Sequence, residues 1–195
     1  MARLFGAGDA GGPGRDGDDL IDVSDVNSQL QTLIDKDAIR DVLNGIARGV
    51  DRFDGALLRA CIHDDAVLDM GGATTMTGAA FAQALKPPEV PPSGRMHILG
   101  NVWIEVAADT ARSESHIVSC QQLEAGGQIA TRFRAGRYLD RFERRDGVWK
   151  LSARTLIDEW GRTDPVQDGV PRGRHGGQPA PRDLVYRRPE LDHLP

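Results

Sequence analysis

The chain has 195 residues, two cysteines and a formal net charge of −5. That length suits one domain with tails. The acidic balance argues against a nucleic-acid partner, which needs a basic surface to meet phosphate, and no stretch is long and apolar enough to span a bilayer.

Residues 1–24 are rich in Gly and Asp and carry few large apolar groups, so they read as a flexible arm. They lack the apolar core of a signal peptide. Gly6-Ala7-Gly8-Asp9-Ala10-Gly11 matches a dinucleotide fingerprint in letters only. No strand precedes it, and Gly12-Pro13-Gly14 stands where a helix should start. Ser24 or Asn27 is placed to cap a first helix. From there Leu30, Leu33, Ile34, Ile39, Val42, Leu43, Ile46 and Val50 recur at three- and four-residue spacings, one apolar stripe that runs to about Asp51–Asp54.

Ala56 to Ile62 predicts a short second helix. His63-Asp64-Asp65 reads as a turn, and Ala66 to Met70 as a strand ended by Gly71-Gly72. Thr77 to Leu85 predicts a third helix, and Pro87, Pro88, Pro91 and Pro92 a loop. The second half is strands. Met96 to Val106 alternates, with Ile98, Val102, Ile104 and Val106 on one face and His97, Leu99, Asn101 and Trp103 on the other. Turns at Ala107–Asp109, Ala125–Gly127 and Arg145–Gly147 separate three more strands over 110–159. On the last, Trp149, Leu151, Ala153 and Ile157 share a face. Helices followed by an antiparallel meander make an α+β domain over residues 25–160, with helices packed on one face of a curved sheet. Residues 161–195, rich in Gly, Pro and Arg, form a C-terminal extension.

Chemistry concentrates in two places. Asp51 sits at the end of the first helix, and His97 at the start of the first long strand. A carboxylate bonded to an imidazole fixes its tautomer and steadies the imidazolium formed when the free nitrogen takes a proton. If the fold joins the two, the chain removes protons with neither cofactor nor metal. His63-Asp64-Asp65 lacks metal-ligand spacing. There is no Gly-x-Ser-x-Gly elbow, and Cys61 and Cys120 make no motif, reading as reduced thiols of a cytoplasmic protein. His116 and Arg154 are placed to reach the interior, subject to bulges, Arg154 alternatively pairing with an acidic neighbour. Phe53, Trp103, Met70 and Phe133 are candidate walls of an apolar pocket. His175 and His193 read as solvated.

Four segments resemble one family. Residues 39–54 (IRDVLNGIARGVDRFD), His63-Asp64-Asp65-Ala66, residues 97–106 (HILGNVWIEV) and residues 137–151 (RYLDRFERRDGVWKL) are similar, in order and spacing, to the SnoaL-like branch of the nuclear-transport-factor-2-like superfamily. The resemblance implies a cone: a strongly bent, mostly antiparallel sheet wrapped around the helices, with a pocket at the wide end. It implies Asp51 and His97 as catalytic residues of a cofactor-independent lyase. The substrate would be a hydrophobic aromatic or polycyclic small molecule, with water, halide or a fragment such as formaldehyde leaving. An isomerase or cyclase, or a non-catalytic binding module, is the alternative. Many relatives carry a Tyr where this chain has Ile46, so Tyr138 is a candidate replacement, with His116, Asn101, Arg154, Trp103 and Phe53 completing the substrate-binding set. Relatives commonly associate through the outer sheet face. The apolar set on the first long strand needs a cover, so a homo-oligomer, with a trimer favoured, is expected.

Overall fold

The computed structural model describes residues 22–72, 74–87, 94–166 and 176–186. The N-terminal arm before Asp22, the loop prolines Pro88, Pro91 and Pro92, and His175 and His193 lie outside the described residues.

Helix α1 spans Val23–Arg52. Its cap is Asp22, upstream of the expected Ser24 or Asn27, because the Asp22 carboxylate accepts from both the backbone N–H and the hydroxyl of Ser24. Only half of the apolar stripe is core. Ile39, Val42, Leu43 and Ile46 are buried, whereas Leu30, Leu33 and Ile34 stay exposed at 52–63%. Asp35 pins the middle of the helix. Its Oδ1 accepts from Trp149 Nε1 at 3.0 Å and from Arg144 Nη1 at 2.8 Å. Asp51 follows 16 residues later, which at 1.5 Å per residue is about 24 Å further along the axis. The helix stops at Phe53, which adopts the left-handed conformation (φ 56°) and turns its N–H back onto the last carbonyls.

Helix α2 (Gly55–Cys61) packs against α1 at close range. A Cβ on Gly49 would lie 2.8 Å from Leu58, so only glycine permits this approach. Strand β1 (Ile62–Asp69) begins directly afterwards, so His63-Asp64-Asp65 is strand and not the expected turn. His63 is buried there and its Nε2–H donates to the Glu143 carbonyl at 3.1 Å. That bond satisfies the one buried polar side chain of the triplet, while Asp64 and Asp65 stay exposed. The two-residue strand β2 (Met76–Thr77) leads into α3 (Gly78–Ala84), where Thr77, expected as the first helical residue, is the cap.

Strands β3 (Arg95–Ala107), β4 (Thr110–Ala125), β5 (Gln128–Arg145) and β6 (Val148–Pro165) form the meander. The last runs five residues past the expected domain edge at 160. Gly126-Gly127 and Asp146-Gly147 turn two of its hairpins with positive φ at both positions, the geometry that matches strand twist. The sheet order is β2-β1-β6-β5-β4-β3. Only β1–β6 is parallel, so the architecture is α+β with a mixed, curved, open sheet. One core gathers Ile39, Leu43, Ile46, Leu58, Leu68, Phe142 and Leu151, and a smaller one Ile117, Tyr138 and Leu156.

Two bulges overturn the expected face assignments. In β3 the register shifts between Gly100 and Trp103, with Asn101 at φ 48°. His97 and Leu99 therefore share the inner face with Val102, Ile104 and Val106. Ile98 and Trp103 lie outside, 53% and 59% exposed. In β6 the register shifts at Ser152. Arg154 and Leu156 thereby turn inward behind Trp149 and Leu151, and Ala153 and Ile157 turn out. A bulge inserts one residue and exchanges every side chain beyond it between faces.

Candidate active site

The C-terminal end of α1 meets the first turn of β3, and the two expected residues touch. Asp51 Oδ1 accepts from His97 Nδ1–H at 2.6 Å, and Asp51 Oδ2 accepts from the His97 backbone N–H at 3.0 Å. Both side chains are nearly buried, 8% and 12% exposed. A carboxylate is acceptor-only, so the bond assigns the ring proton to Nδ1 and leaves Nε2 as a lone pair. Among the described residues Nε2 has no partner.

The inner face beyond His97 is apolar and then polar. Leu99, Ile117, Leu156 and Met70 pack around Tyr138. Tyr138 is 7% exposed. Burial pushes its phenol above the ordinary tyrosine value, and the charges of Asp140 and Asp51 add to that while Arg154 opposes it. Tyr138 and His97 share the inner face of the sheet, Tyr138 beside Ser115 and His97 beside Ser119 of β4. Behind the ring lies Arg154, 3.8 Å from its centroid. Arg154 is held by Asp140 through two bonds of 2.8 and 2.7 Å, and the pair is almost wholly buried. Burial works against the Arg154 charge, but the Asp140 carboxylate outweighs it and holds the guanidinium protonated. Both readings of Arg154, interior and paired, are thus met.

The remaining candidates go elsewhere. His116 pairs with Gly100 and Arg137 on the outer face and is exposed. Trp103 and Phe133 also face outward, Trp103 opposite Glu114 and Phe133 opposite Cys120. Asn101 is exposed within the bulge. Period-two counting across the β3 bulge accounts for Asn101 and Trp103. On β4 the inner residues are Ser113, Ser115, Ile117 and Ser119, so the small polar side chains, not His116, mark the inner face. The Ser113 and Ser115 hydroxyls are buried without a partner among the described residues. Phe53 is buried, and its ring lies 4.7 Å beneath the Arg95 guanidinium. Arg95 was not singled out by sequence, although it stands two residues before His97 on the same face of a strand.

A cleft of about 340 Å³ opens beside the dyad, lined by Asn44, Arg48, Asp51, His97, Leu99 and Asp183 among others. Its cover is the C-terminal segment 176–186, which folds back onto the end of α1. Ala180 N–H donates to the Arg52 carbonyl at 2.7 Å, and Tyr186 Oη–H donates to Asp54 Oδ2 at 2.9 Å. Asp183 lies 3.4 Å from Arg52. Among the described residues no three His, Cys, Asp or Glu side chains gather as a metal set, and no helix is long and apolar enough to cross a membrane.

Residues 31–155 match the model of the SnoaL-like domain. The chain belongs to the SnoaL-like family. No curated protein matches it. Among solved structures, a hexachlorocyclohexane dehydrochlorinase, LinA type 3 from Novosphingobium barchaimii, is 26% identical, with a TM-score of 0.61 over 74% of this chain and 99% of that one. A LinA type 2 dehydrochlorinase is 25% identical, with a TM-score of 0.61 over 75% and 98%. A scytalone dehydratase-like protein from Novosphingobium aromaticivorans is 20% identical, with a TM-score of 0.58 over 82% and 98%, and shows the fold alone. This SnoaL-like chain thus has the nuclear-transport-factor-2-like cone.

Proposed function

We propose that the protein is a cofactor-independent lyase acting on a hydrophobic aromatic or polycyclic small molecule. The observation that carries this reading is the pair of hydrogen bonds that Asp51 accepts from His97, one from the ring and one from the backbone. One carboxylate oxygen fixes the ring tautomer and the other fixes the backbone beneath it, leaving Nε2 as the base.

In the proposed reaction, His97 Nε2 takes a proton from a carbon next to the one bearing the leaving group. The C–H electron pair becomes the new C=C bond, and the leaving group departs with the pair of its own bond, as halide or as hydroxide that is protonated to water. Where formaldehyde leaves, the proton comes from a hydroxyl, the O–H electron pair forms the carbonyl, and the pair of the broken C–C bond stays on the remaining carbon, which takes the proton back from the His97 imidazolium. Asp51 stabilises the imidazolium in each case. Tyr138 keeps its proton at neutral pH, because burial raises its pKa, so it donates to developing negative charge on substrate or leaving group. Arg154, fixed by Asp140, stands behind the phenol as a permanent cation. Two LinA dehydrochlorinases among the structural relatives support the elimination class.

We also propose a cytoplasmic homo-oligomer, a trimer being favoured. Val102, Ile104 and Val106 are covered by the chain's own helix, so they no longer argue for a partner. Exposed Met96, Ile98, Trp103, Val118 and Trp160 on the sheet take their place, at 40–59% exposure. Cys61 and Cys120 are free thiols, as a reducing compartment keeps them.

The test is mass spectrometry on pooled aromatic and steroidal alcohols and halides, incubated with the wild type and with His97→Ala. Loss of water, halide or formaldehyde with the wild type alone supports the lyase. An isomerised product of unchanged mass, dependent on His97, moves the assignment to an isomerase. Equal turnover by both proteins removes His97 from the chemistry.

A further inference from the structure

Most guanidinium groups that reach the inner face are already matched. Arg154 is held by Asp140, Arg134 by Asp158 and Arg144 by Asp35. Arg95 differs from these, having no carboxylate partner among the described residues. It opens β3, and the pairing from Arg95 to Gly100 is regular. Its side chain therefore leaves the same face as that of His97, about 7 Å away along the strand. Both side chains reach down to the end of α1, His97 to Asp51 and Arg95 to the Phe53 ring. Gln121 stands beside Arg95 in β4, and Arg132 stands beside Gln121 in β5. Arg132 likewise has no ion-pair partner among the described residues. Two unmatched cations thus occupy one level of the inner face, one step from the candidate base. Burial lowers the Arg95 pKa and the Arg132 charge adds to this, while Asp51 opposes both. Arginine still stays charged at neutral pH.

Two neighbouring cations, one of them partly desolvated, are held at a cost unless an anion joins them. The planar fork of arginine matches a carboxylate through two parallel bonds. The Phe53 ring below and Leu99, Ile117 and Leu156 further in offer an apolar bed to a flat body attached to that carboxylate. We infer that Arg95 and Arg132 form an acid-binding subsite, and that the substrate is an amphipathic carboxylic acid: its carboxylate at Arg95, its apolar body lying toward His97. This deepens the lyase reading and rests on it only for the direction in which the body points.

Calorimetry with two isosteric probes that carry no leaving group tests the subsite without any turnover. 2-Naphthoate is compared with 2-naphthamide on the wild type, Arg95→Gln, Arg95→Lys and Arg132→Gln. The wild type is expected to prefer the acid by roughly ten- to hundredfold, the range for hydrogen bonds to a charged group. Arg95→Gln abolishes the preference, Arg95→Lys keeps part of it, and Arg132→Gln weakens it. Equal affinity of the wild type for the two probes overturns the subsite. So does binding of neither naphthoate nor biphenyl-4-carboxylate, or a full preference retained in either glutamine variant. Arg132 is exposed, so its variant keeps the test sound if Arg95→Gln disturbs the packing on Phe53. A lyase assay that fails beside an intact acid preference removes the chemistry and not the subsite.

Discussion

Asp51 grips His97 at two points, ring and backbone, so the carboxylate that selects the tautomer also fixes where the strand begins. An amide cannot do both. Asp51→Asn retains one acceptor and presents an NH₂ group to the other N–H donor. Turnover is expected to fall by about 10²- to 10⁴-fold, the usual contribution of a positioned general base. Asp51→Asn combined with His97→Ala should be little worse than His97→Ala alone, because the two act as a unit. Initial rates of the three variants check this, and additive losses would sink it.

Tyr138 is assigned a donor role, separable from its packing. Tyr138→Phe keeps the ring beneath Arg154 and removes the hydroxyl. A fall in kcat of about 10²-fold with KM nearly unchanged is expected for loss of a donor aimed at developing charge. A change in KM alone, at unchanged kcat, would return Tyr138 to a packing role.

The Arg154–Asp140 pair is buried and doubly bonded, so each partner depends on the other. Asp140→Ala strands a buried cation, and about 3–5 kcal/mol of stability is expected to go. Replacing both by leucine should cost far less, since no unpaired charge remains. Urea unfolding at neutral pH distinguishes the two outcomes. Equal losses for the single and double variants would contradict the account.

The C-terminal clasp should respond to acid. Burial tends to raise the Asp183 pKa, but the N–H groups of Gln178 and Val185 and the charges of Arg52 and Arg48 outweigh it, and the net shift is downward. A lowered folded pKa gives stability that is complete above the ordinary carboxylate value, about 3.9. It is lost as pH falls through the folded value. The Gln178 and Val185 amide resonances should therefore hold steady from neutral pH to about 4 and move only below it. A midpoint at or above the ordinary carboxylate value would refute the clasp.

Gly136 faces a backbone oxygen, since a Cβ there would sit 2.2 Å from the Ile157 carbonyl. Gly136→Ala must push β6 away at the point where the register shifts between Ala135 and Gly136. A destabilisation of about 1–3 kcal/mol, the range for overpacking, should appear in thermal melts. An unchanged melting temperature would show that β6 yields freely.

The parts legible from sequence are those where local chemistry decides. Asp146-Gly147 and Gly126-Gly127 announce their hairpins because few other residues accept positive φ twice. The third helix begins within one residue of its expected start, where the Thr77 hydroxyl satisfies the Ala80 N–H. Asp51 and His97 were legible as a pair from their places in the family-like segments. The faces of β3 and β6 were not: nothing in Leu151-Ser152-Ala153 marks a bulge, and Gly100-Asn101, a glycine and a residue tolerant of positive φ inside a strand pattern, marks a bulge without fixing its phase. Counting across the β3 bulge misplaces Trp103 and Asn101, and His116 is misplaced because serines occupy the inner positions of β4 where apolar residues are sought. His63 was read as turn because its satisfying partner, the Glu143 carbonyl, is 80 residues away. Arg95 was overlooked because an unmatched cation is visible only once its matched neighbours are known.

The β3 bulge gives one strand two separate lineages of constraint. Residues before Asn101 answer to the dyad and to the proposed acid subsite, and residues after it answer to the helix they cover. Because the extra residue absorbs the change of phase, substitutions that retune specificity around Arg95 and Leu99 need not be compensated at Val102 or Ile104. Such a joint lets one end of the strand vary without disturbing the packing of the other.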